Sequence, residues 1–157
     1  MCAALQRAQK GEFRVIEYSV QDDHLHMIVE ANDGAALSSG AHGLAIRLAR
    51  AINRTLDRSG RVFGDRYHTR TLRTPREVRF CLVYVLHNFR KHQPQAMTVL
   101  DPCSSAVWFD GYRGGSVQTV DGAAPTRVPR TWLLRVGWRR YGLLSPLEQP
   151  TLRDAPS

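Results

Sequence analysis

Two short apolar segments joined by a polar turn constrain the fold of this chain more than any other feature. Phe13 to Val20 alternates apolar and polar residues, as a half-buried strand does. Gln21-Asp22-Asp23 interrupts that pattern, and a second apolar run, Leu25 to Glu30, follows it. This order predicts a β-hairpin over about residues 13–31.

His24 and His26 belong to the second predicted strand of this hairpin. Side chains alternate between the two faces of a strand, so these imidazoles point to the same side. Two adjacent imidazoles on one rigid face form half of a binding site for a divalent metal. A pair of histidines in a strand is also common as plain polar surface. The spacing alone therefore leaves both interpretations open.

The segment from about Ala36 to Arg58 has the periodicity of a helix. Its apolar residues recur every four positions, as expected for a helix face packed on a sheet: Leu44, Leu48, Ile52 and Leu56. At about 100° per residue, a second stripe lies almost opposite the first. We call it the arginine stripe, and it consists of Arg47, Arg50, Arg54 and Arg58. It is either a solvated face or a face that binds phosphates.

Further along the chain, Tyr67 to Leu72 alternates again and predicts a third strand. Thr74-Pro75 then marks the start of a second helix, with Thr74 as the N-cap and Glu77 three residues later as its capping-box partner. We expect this helix to extend from Pro75 to about His92.

Tyr84 and Asn88 lie off the apolar stripe of this second helix. The stripe itself has the spacing of a core face and consists of Val78, Leu82, Val85, Leu86 and Phe89. Tyr84 and Asn88 are four residues apart and are therefore neighbours on the helix surface. A tyrosine that only fills a core would fall within the stripe. Its position favours an exposed or a functional role.

The balance of charge indicates a phosphate-rich partner. The 157 residues carry a net charge of +8, from 20 arginines and only 2 lysines against 14 acidic residues. Arginine makes planar, bidentate contacts with phosphate, so nucleic acid is the favoured partner. The alternative is that the arginines reflect a coding bias.

The cysteines and the apolar runs exclude several classes of protein. Cys2, Cys81 and Cys103 form no CxxC pair, which indicates neither a disulfide framework nor a thiolate zinc site and fits a reducing cytoplasm. No apolar run approaches the roughly 20 residues of a membrane span, and no signal peptide is visible.

The character of the chain changes at about Pro94. We expect one catalytic domain over residues 1–93 and an extension over residues 94–157 that is rich in proline, glycine, serine and threonine. Two aromatic islands interrupt the extension, at 107–109 and 132–138. They are expected to fold back onto the domain, and the alternative is that they stack on unpaired bases. Residues after about 146 are expected to be disordered.

Two motifs together resemble a known family. Asp23-His24-Leu25-His26 resembles the HUH motif, and Tyr84-Val85-Leu86-His87-Asn88 resembles the catalytic helix of single-tyrosine HUH transposases. The likeness extends to the REP-associated tyrosine transposases of bacteria. Supporting stretches are Asn53-Arg54, Gly60-Arg61-Val62-Phe63, Arg66-Tyr67-His68, Thr74 to Arg79, Ser105 to Gly111 and Arg130 to Arg135.

The resemblance implies an α+β fold of the ferredoxin-like sandwich type, with an antiparallel sheet and helices on one face. It also implies an enzyme that cuts and rejoins single-stranded DNA near hairpins through a 5′-phosphotyrosine. Tyr84 would be the nucleophile, and His24 and His26 would bind the metal. Asn88 would be a third ligand or would orient it. Mixed nitrogen and oxygen ligands suit Mg²⁺ or Mn²⁺.

The same resemblance suggests the partners. Single-stranded or hairpin DNA would contact the arginine stripe, Arg61 and Arg66 in the loop that follows it, and Arg70 in the predicted third strand. The protein would act in the bacterial cytoplasm, away from membranes, as a monomer or a homodimer.

Two departures from the family pattern bear on these expectations. Asn88-Phe89 stands where family members often have Asn-Pro. The family pattern also places a strand and most of a helix before the position of residue 1, so we expect an N-terminally truncated sheet in which the 67–72 strand lacks its neighbour. Two other functions therefore stay open: a degenerate relative that only binds hairpin or single-stranded DNA, and a basic nucleic-acid-binding module with a structural histidine pair.

Overall fold

The centre of the fold is an antiparallel β-hairpin. The computed structural model of the protein describes residues 5–6, 11–64, 67–92, 100–115 and 122–150, with the backbone alone at 91 and 92. Strand β1 is Phe13–Val20 and strand β2 is Leu25–Ala31, paired from Phe13 opposite Ala31 to Val20 opposite Leu25. The predicted hairpin is confirmed.

A β-bulge at Ile16 lets β1 present apolar residues to both faces of the hairpin. Val15 lies opposite Val29 and Glu17 lies opposite Ile28, so Ile16 is the extra residue. Ile16 and Ile28 join one buried cluster, whereas Val15 joins another. The hairpin is therefore an apolar layer that must be covered on both sides.

The first helix, α1, covers one of these faces. It is Gly34–Thr55, and the carboxylate of Asp33 caps its start by accepting from the backbone N–H of Ala36 at 2.7 Å. Leu44 and Leu48 are buried against the face of β1 that carries Val15. Thus the predicted helix is confirmed, with bounds about two to three residues earlier. Its apolar stripe is confirmed at Leu44 and Leu48, whereas Ile52 is half-buried and Leu56 is 62% exposed just after the helix.

Gly40 permits the close approach of α1 to β1. A Cβ atom built at Gly40 would lie 2.2 Å from the ring of Phe13, a separation that real Cβ contacts do not show. Any side chain at this position would push the helix away from the strand and open the core.

The second helix, α2, covers the opposite face. It is Pro75–His87 and begins with the predicted capping box between Thr74 and Glu77. Val78 and Leu82 are buried in the cluster that also contains Ile28. The short helix α3, Phe89–His92, follows it, so the single helix expected to reach His92 has a break at Asn88.

The α+β class is confirmed, but two details differ from the sequence-based expectation. The helices lie on opposite faces of the hairpin, because both alternating sets of β2 side chains are in apolar contact. The prediction of a third strand at 67–72 is wrong, since the described sheet contains β1 and β2 alone. Residues 68–72 lie across a groove from β2. They cannot pair with it, because paired strands lie only about 4.8 Å apart.

The extension after Pro94 folds back onto α2. Its described part contains two 3₁₀ helices, Ser105–Trp108 and Gly137–Tyr141, and a short helix α4, Trp132–Arg135. Phe109 and Trp138 are buried in the cluster built around α2. The expectation that the aromatic islands fold back is therefore confirmed for these two residues.

Hydrogen bonds and an ion pair hold this extension against α2 and β2. The buried guanidinium of Arg79 donates to the carbonyl of Gly142 at 2.9 Å and to the carboxylate of Glu148 at 2.8 Å. Glu30 of β2 accepts from the backbone N–H and the hydroxyl of Thr131 at 2.8 and 2.7 Å. The ordered part of the extension thus includes Glu148, whereas 151–157 lie outside the described residues.

Two buried titratable groups lie at the junction of β1, α2 and the extension. Burial raises the pKa of Glu17 from 4.5 to about 8, and the hydroxyl of Ser105 donates to its carboxyl oxygen at 2.6 Å. Burial lowers the pKa of His87 from 6.5 to about 4. Both groups are therefore mainly uncharged at neutral pH.

These two shifts predict how stability depends on pH. Glu17 contributes fully to the free energy of unfolding below pH 4.5, and this contribution is lost as pH rises to about 8. The reason is that its carboxyl ionises at a lower pH in the unfolded chain than in the folded protein. For His87, stability is lost as pH falls from 6.5 to about 4, so the two slopes oppose each other at acidic pH. Between about pH 7 and 8 the contribution of Glu17 dominates. The free energy of unfolding should then fall by up to about 1.4 kcal/mol per pH unit, and less as pH approaches 8.

Replacing Glu17 by Gln should flatten this decline, because an amide keeps the shape of the carboxyl without ionising. The measurement is urea unfolding of both proteins at several pH values between 6.5 and 8. Glu12→Gln is the matched control, since Glu12 is exposed just before β1 and its loss should leave the slope unchanged. A Glu17→Gln protein with the wild-type slope would assign the pH dependence to another group.

Candidate active site

The two predicted histidines lie side by side at the start of β2. His24 directly precedes the strand and His26 is its second residue, and their ring centroids are 4.6 Å apart in an edge-to-face arrangement. Nδ1 of His24 lies 2.5 Å from a carboxylate oxygen of Asp23. The alternation of a strand therefore brings the two imidazoles together, as the spacing predicts.

Helix α2 places Tyr84 against this pair. The hydroxyl of Tyr84 lies 3.4 Å from Nε2 of His26, and the two rings meet at 4.9 Å between centroids. The contact follows from the packing of Val85 and Ile28 in one cluster, which sets α2 across the face of β2 that carries His26. The off-stripe position of Tyr84 thus puts its hydroxyl beside an imidazole.

Partial burial affects the reactivity of Tyr84. Loss of solvent raises the pKa of its hydroxyl above the ordinary value of 10. The group is therefore protonated at neutral pH, and an attack by its oxygen requires removal of that proton. Nε2 of His26, 3.4 Å away, can accept it only while this imidazole holds no metal.

A groove of about 600 Å³ opens in front of these residues. One wall is β2, from Leu25 to Ala31, and the other is formed by residues 68–72 and the first turns of α2. Arg70 in the second wall lies 3.4 Å from the carboxylate of Glu77. The groove has room for an extended chain that runs past His26 and Tyr84.

Asn88, the fourth predicted site residue, is buried. It is 1% exposed at the C-terminal end of α2, and neither its side-chain oxygen nor its nitrogen hydrogen-bonds to another described residue. The structure therefore brings His24, His26 and Tyr84 together and gives Asn88 no hydrogen bond to any of them. A buried amide with no partner costs about 1–3 kcal/mol, which is compatible with a ligand taking that place.

The donor set fits a divalent cation in part. Two adjacent imidazole nitrogens suit two coordination positions, and the unpartnered amide oxygen of Asn88 is the kind of ligand that Mg²⁺ and Mn²⁺ accept. Among the described residues no group of three or more His, Cys, Asp or Glu is placed to hold a metal. A third protein ligand would therefore have to come from an amide such as that of Asn88.

The arginine stripe faces outward. Arg50, Arg54 and Arg58 are exposed, and no member of the stripe forms an ion pair with a described residue. Arg47 is half-buried and donates to the carbonyl of Gly43 at 2.9 Å. Positive charge on this face of α1 is thus available to a partner.

The other predicted DNA-binding arginines differ in their surroundings. Arg61 is exposed and donates to the backbone carbonyls of Phe63 and Gly64 in its own loop. Arg70 lines the groove, and Arg66 lies outside the described residues. Arg70 is thus the predicted arginine placed in the wall of the groove that contains Tyr84.

Comparison with known families decides where this chain belongs. The model of the family described as "Transposase IS200 like" matches residues 3–88, more than half of the chain. The chain belongs to the IS200-like transposase family. No curated protein and no solved structure matches it.

The match covers the whole candidate site. It includes His24, His26 and Tyr84, and it ends at Asn88. As an IS200-like transposase, the chain is of a class that binds DNA and transfers its strands. The described helices include none that is long and apolar enough to cross a membrane.

Sequence reasoning missed several residues of the transposase groove. His68 and Glu30 line it, and Glu30 also ties Thr131 of the extension to β2. Their roles depend on segments that meet only in three dimensions, so no local pattern marks them. Asp23 beside His24 had a visible signal, the adjacency of the two residues in the sequence.

Proposed function

We propose that this transposase cuts and rejoins single-stranded DNA near hairpins through a covalent bond to Tyr84. The observation that carries the proposal is the hydroxyl of Tyr84 at 3.4 Å from Nε2 of His26, next to a second imidazole and at a groove. A phenol, a pair of imidazoles that can bind a metal and space for an extended strand are parts that a phosphodiester transfer needs.

The proposed step exchanges one phosphodiester bond for another. Tyr84 releases its proton to the solvent in the groove, and the phenolate oxygen attacks the scissile phosphorus. The bond from phosphorus to the 3′-oxygen breaks, which leaves a 5′-phosphotyrosine and a free 3′-hydroxyl. Because the bond energy is kept, the 3′-hydroxyl of another strand can reverse the step and join the DNA without a nucleotide cofactor.

We infer that His24 and His26 hold a Mg²⁺ or Mn²⁺ ion, with Asn88 as a third ligand. When bound, such an ion supplies charge neutralisation and polarisation at the scissile phosphate. Asp23 supports this role, because its carboxylate contacts Nδ1 of His24 and would fix the orientation of the imidazole.

The proposal is tested by covalent trapping on labelled hairpin DNA with a single-stranded flank. We expect a protein–DNA adduct on a denaturing gel when the reaction contains Mg²⁺. No adduct should form when a chelator is present from the start. Its rate should rise continuously from neutral pH to about pH 10, because the raised pKa of Tyr84 keeps the phenolate fraction growing over that range. A rate that falls above pH 8 in a folded protein would contradict tyrosine attack.

A second candidate function is binding of hairpin DNA without cleavage. It is favoured by the exposed arginines of the stripe, which can bind phosphates without a contribution from Tyr84 or a metal. Under this alternative, hairpin DNA binds more tightly than an unstructured strand, and no adduct forms with any divalent metal.

A further inference from the structure

The end of the extension presents an unusual surface outside the family match. Helix α4 and the 3₁₀ helix Gly137–Tyr141 follow each other directly, and the buried ring of Trp138 anchors them on the core around α2. The indole N–H of Trp138 donates to the carbonyl of Leu134 at 3.1 Å, which joins the two short helices. The segment is therefore a fixed platform and its outer side chains have defined positions.

Aromatic rings lie on the outer side of this platform. Trp132 is 48% exposed and Tyr141 is 55% exposed, whereas Trp138 beneath them is 1% exposed. The ring of Trp132 lies against Gly137, where a Cβ atom would be 2.7 Å from the indole. The absence of a side chain at Gly137 therefore lets the indole lie on the platform with nearly half of its surface in water.

Guanidinium groups surround these rings. The guanidinium carbon of Arg140 lies 4.9 Å from the ring centroid of Trp132, and that of Arg139 lies 5.4 Å from the ring of Trp138. Arg139 also pairs with the exposed Asp110 at 3.4 Å. Arg135 and Arg140 are exposed and form no ion pair with a described residue. The platform therefore carries a net positive charge beside exposed aromatic faces.

We propose that this arginine–aromatic surface, formed by Trp132, Arg135, Arg139, Arg140 and Tyr141, is a second binding site for single-stranded DNA. The inference rests on the proposed action on single-stranded DNA and adds a docking surface beside the groove, since Leu133 and Leu134 of α4 line the groove that contains Tyr84 and the five residues of the surface do not. Unpaired bases stack on aromatic rings and on guanidinium planes while arginines contact the phosphates. Duplex DNA keeps its base faces covered and offers this surface only its phosphates.

Charge complementarity distinguishes this partner from others. A polyanion matches the arginines, and the flat faces of Trp132 and Tyr141 match bases, so single-stranded DNA meets both requirements at once. An acidic peptide would meet the charge requirement alone. Binding of single-stranded DNA should therefore depend on Trp132, whereas binding of an acidic peptide should not.

Tryptophan fluorescence tests the proposal directly. Of the three tryptophans, Trp132 is the one that is exposed, because Trp138 is buried and Trp108 is half-buried. Oligothymidylate, which forms no hairpin, should quench the fluorescence of the full chain with saturation. Replacing Trp132 by Leu should remove most of the quenching and weaken binding about tenfold, measured with a labelled oligonucleotide.

Matched variants separate stacking from charge. Trp132→Phe should retain most of the affinity. Arg140→Ala should weaken binding more than Arg127→Ala, which removes one charge from an exposed position of the same extension where the guanidinium stacks on no described aromatic ring. Equal loss in these two arginine variants would overturn the proposal. So would quenching by polyglutamate as strong as that by oligothymidylate.

The result is independent of catalysis. Tyr84→Phe should bind oligothymidylate with wild-type affinity and quenching, because Tyr84 lies in the groove and outside this surface. Absence of a covalent adduct together with normal quenching would count against the proposed cleavage and support the second site. Normal adduct formation by a Trp132→Leu protein whose oligothymidylate affinity is unchanged would overturn the second site alone.

Discussion

Replacing Tyr84 by Phe should abolish covalent attachment of DNA, with a loss of at least about 1,000-fold in rate. The substitution removes one hydroxyl and leaves the ring in contact with His26, so the packing of α2 on β2 stays intact. DNA affinity should be unchanged, because the arginines that we expect to contact the phosphates lie elsewhere. The measurement uses 5′- or 3′-labelled hairpin DNA on a denaturing gel, together with a binding titration.

Tyr67→Phe provides the matched control. Tyr67 is 53% exposed in the segment before α2, so the same loss of a hydroxyl should leave the adduct rate unchanged. If Tyr84→Phe formed the adduct at the normal rate, another tyrosine would be the nucleophile, and Tyr67 would be the first to examine. Intact thermal unfolding of both variants would show that the fold is not the cause.

His24→Ala should behave differently from Tyr84→Phe. It removes one imidazole of the pair and should slow adduct formation by lowering the affinity for the metal. Excess Mn²⁺ should therefore restore part of the rate. Excess metal cannot replace a missing nucleophile, and Tyr84→Phe should stay inactive at any Mn²⁺ concentration. Rescue of both variants, or of neither, would contradict the assigned roles.

The local elements of this fold could be predicted because their signals are local. The hairpin follows from alternation on either side of Gln21-Asp22-Asp23, and α2 begins at the capping box of Thr74 and Glu77. Leu44 and Leu48 are buried as the four-residue repeat predicts. In each case the periodicity that carries the information spans only a few turns or a single strand.

The relation between elements could not be predicted from these patterns. The bulge at Ile16 turns apolar residues of β1 to both faces. Its trace in the sequence is the adjacent apolar pair Val15-Ile16, which interrupts the alternation but does not by itself specify a bulge. Residues 67–72 alternate like a strand, yet alternation does not supply a neighbour with which to pair. Both the bulge and the lack of a strand at 67–72 depend on contacts between distant segments of the chain.

In the candidate site, too, the local features could be predicted and the contacts between distant segments could not. His24 and His26 share a face because a strand alternates, and the distance from Tyr84 to His26 confirms that α2 crosses that face. The burial of Glu17 could not be predicted, because a glutamate in a strand is normally solvated. The surroundings of Asn88 likewise depend on the packing of the helix end, which its spacing from Tyr84 does not determine.

The arginine stripe gives the second large expected effect. Each phosphate neutralised on a single strand adds about 0.7 to the slope of log affinity against log salt, so four contacts would add up to about 2.8. Reversing Arg47, Arg50, Arg54 and Arg58 to Glu should remove that part of the slope and lower the affinity by roughly 100-fold or more at low salt. The exposed side of α1 tolerates this change because the core contacts lie on its other side, at Leu44 and Leu48.

The measurement is binding of a hairpin with a single-stranded flank across a salt series. Changing the same four arginines to Lys is the matched control: it keeps the charge, and should therefore keep most of the slope while it loses bidentate contacts. Oligothymidylate should still quench Trp132 in the reversed protein, since the arginine–aromatic surface is unchanged. If the Glu variant retained both affinity and slope, the stripe would be only a solvated face, and the groove around Arg70 would have to account for the phosphate contacts.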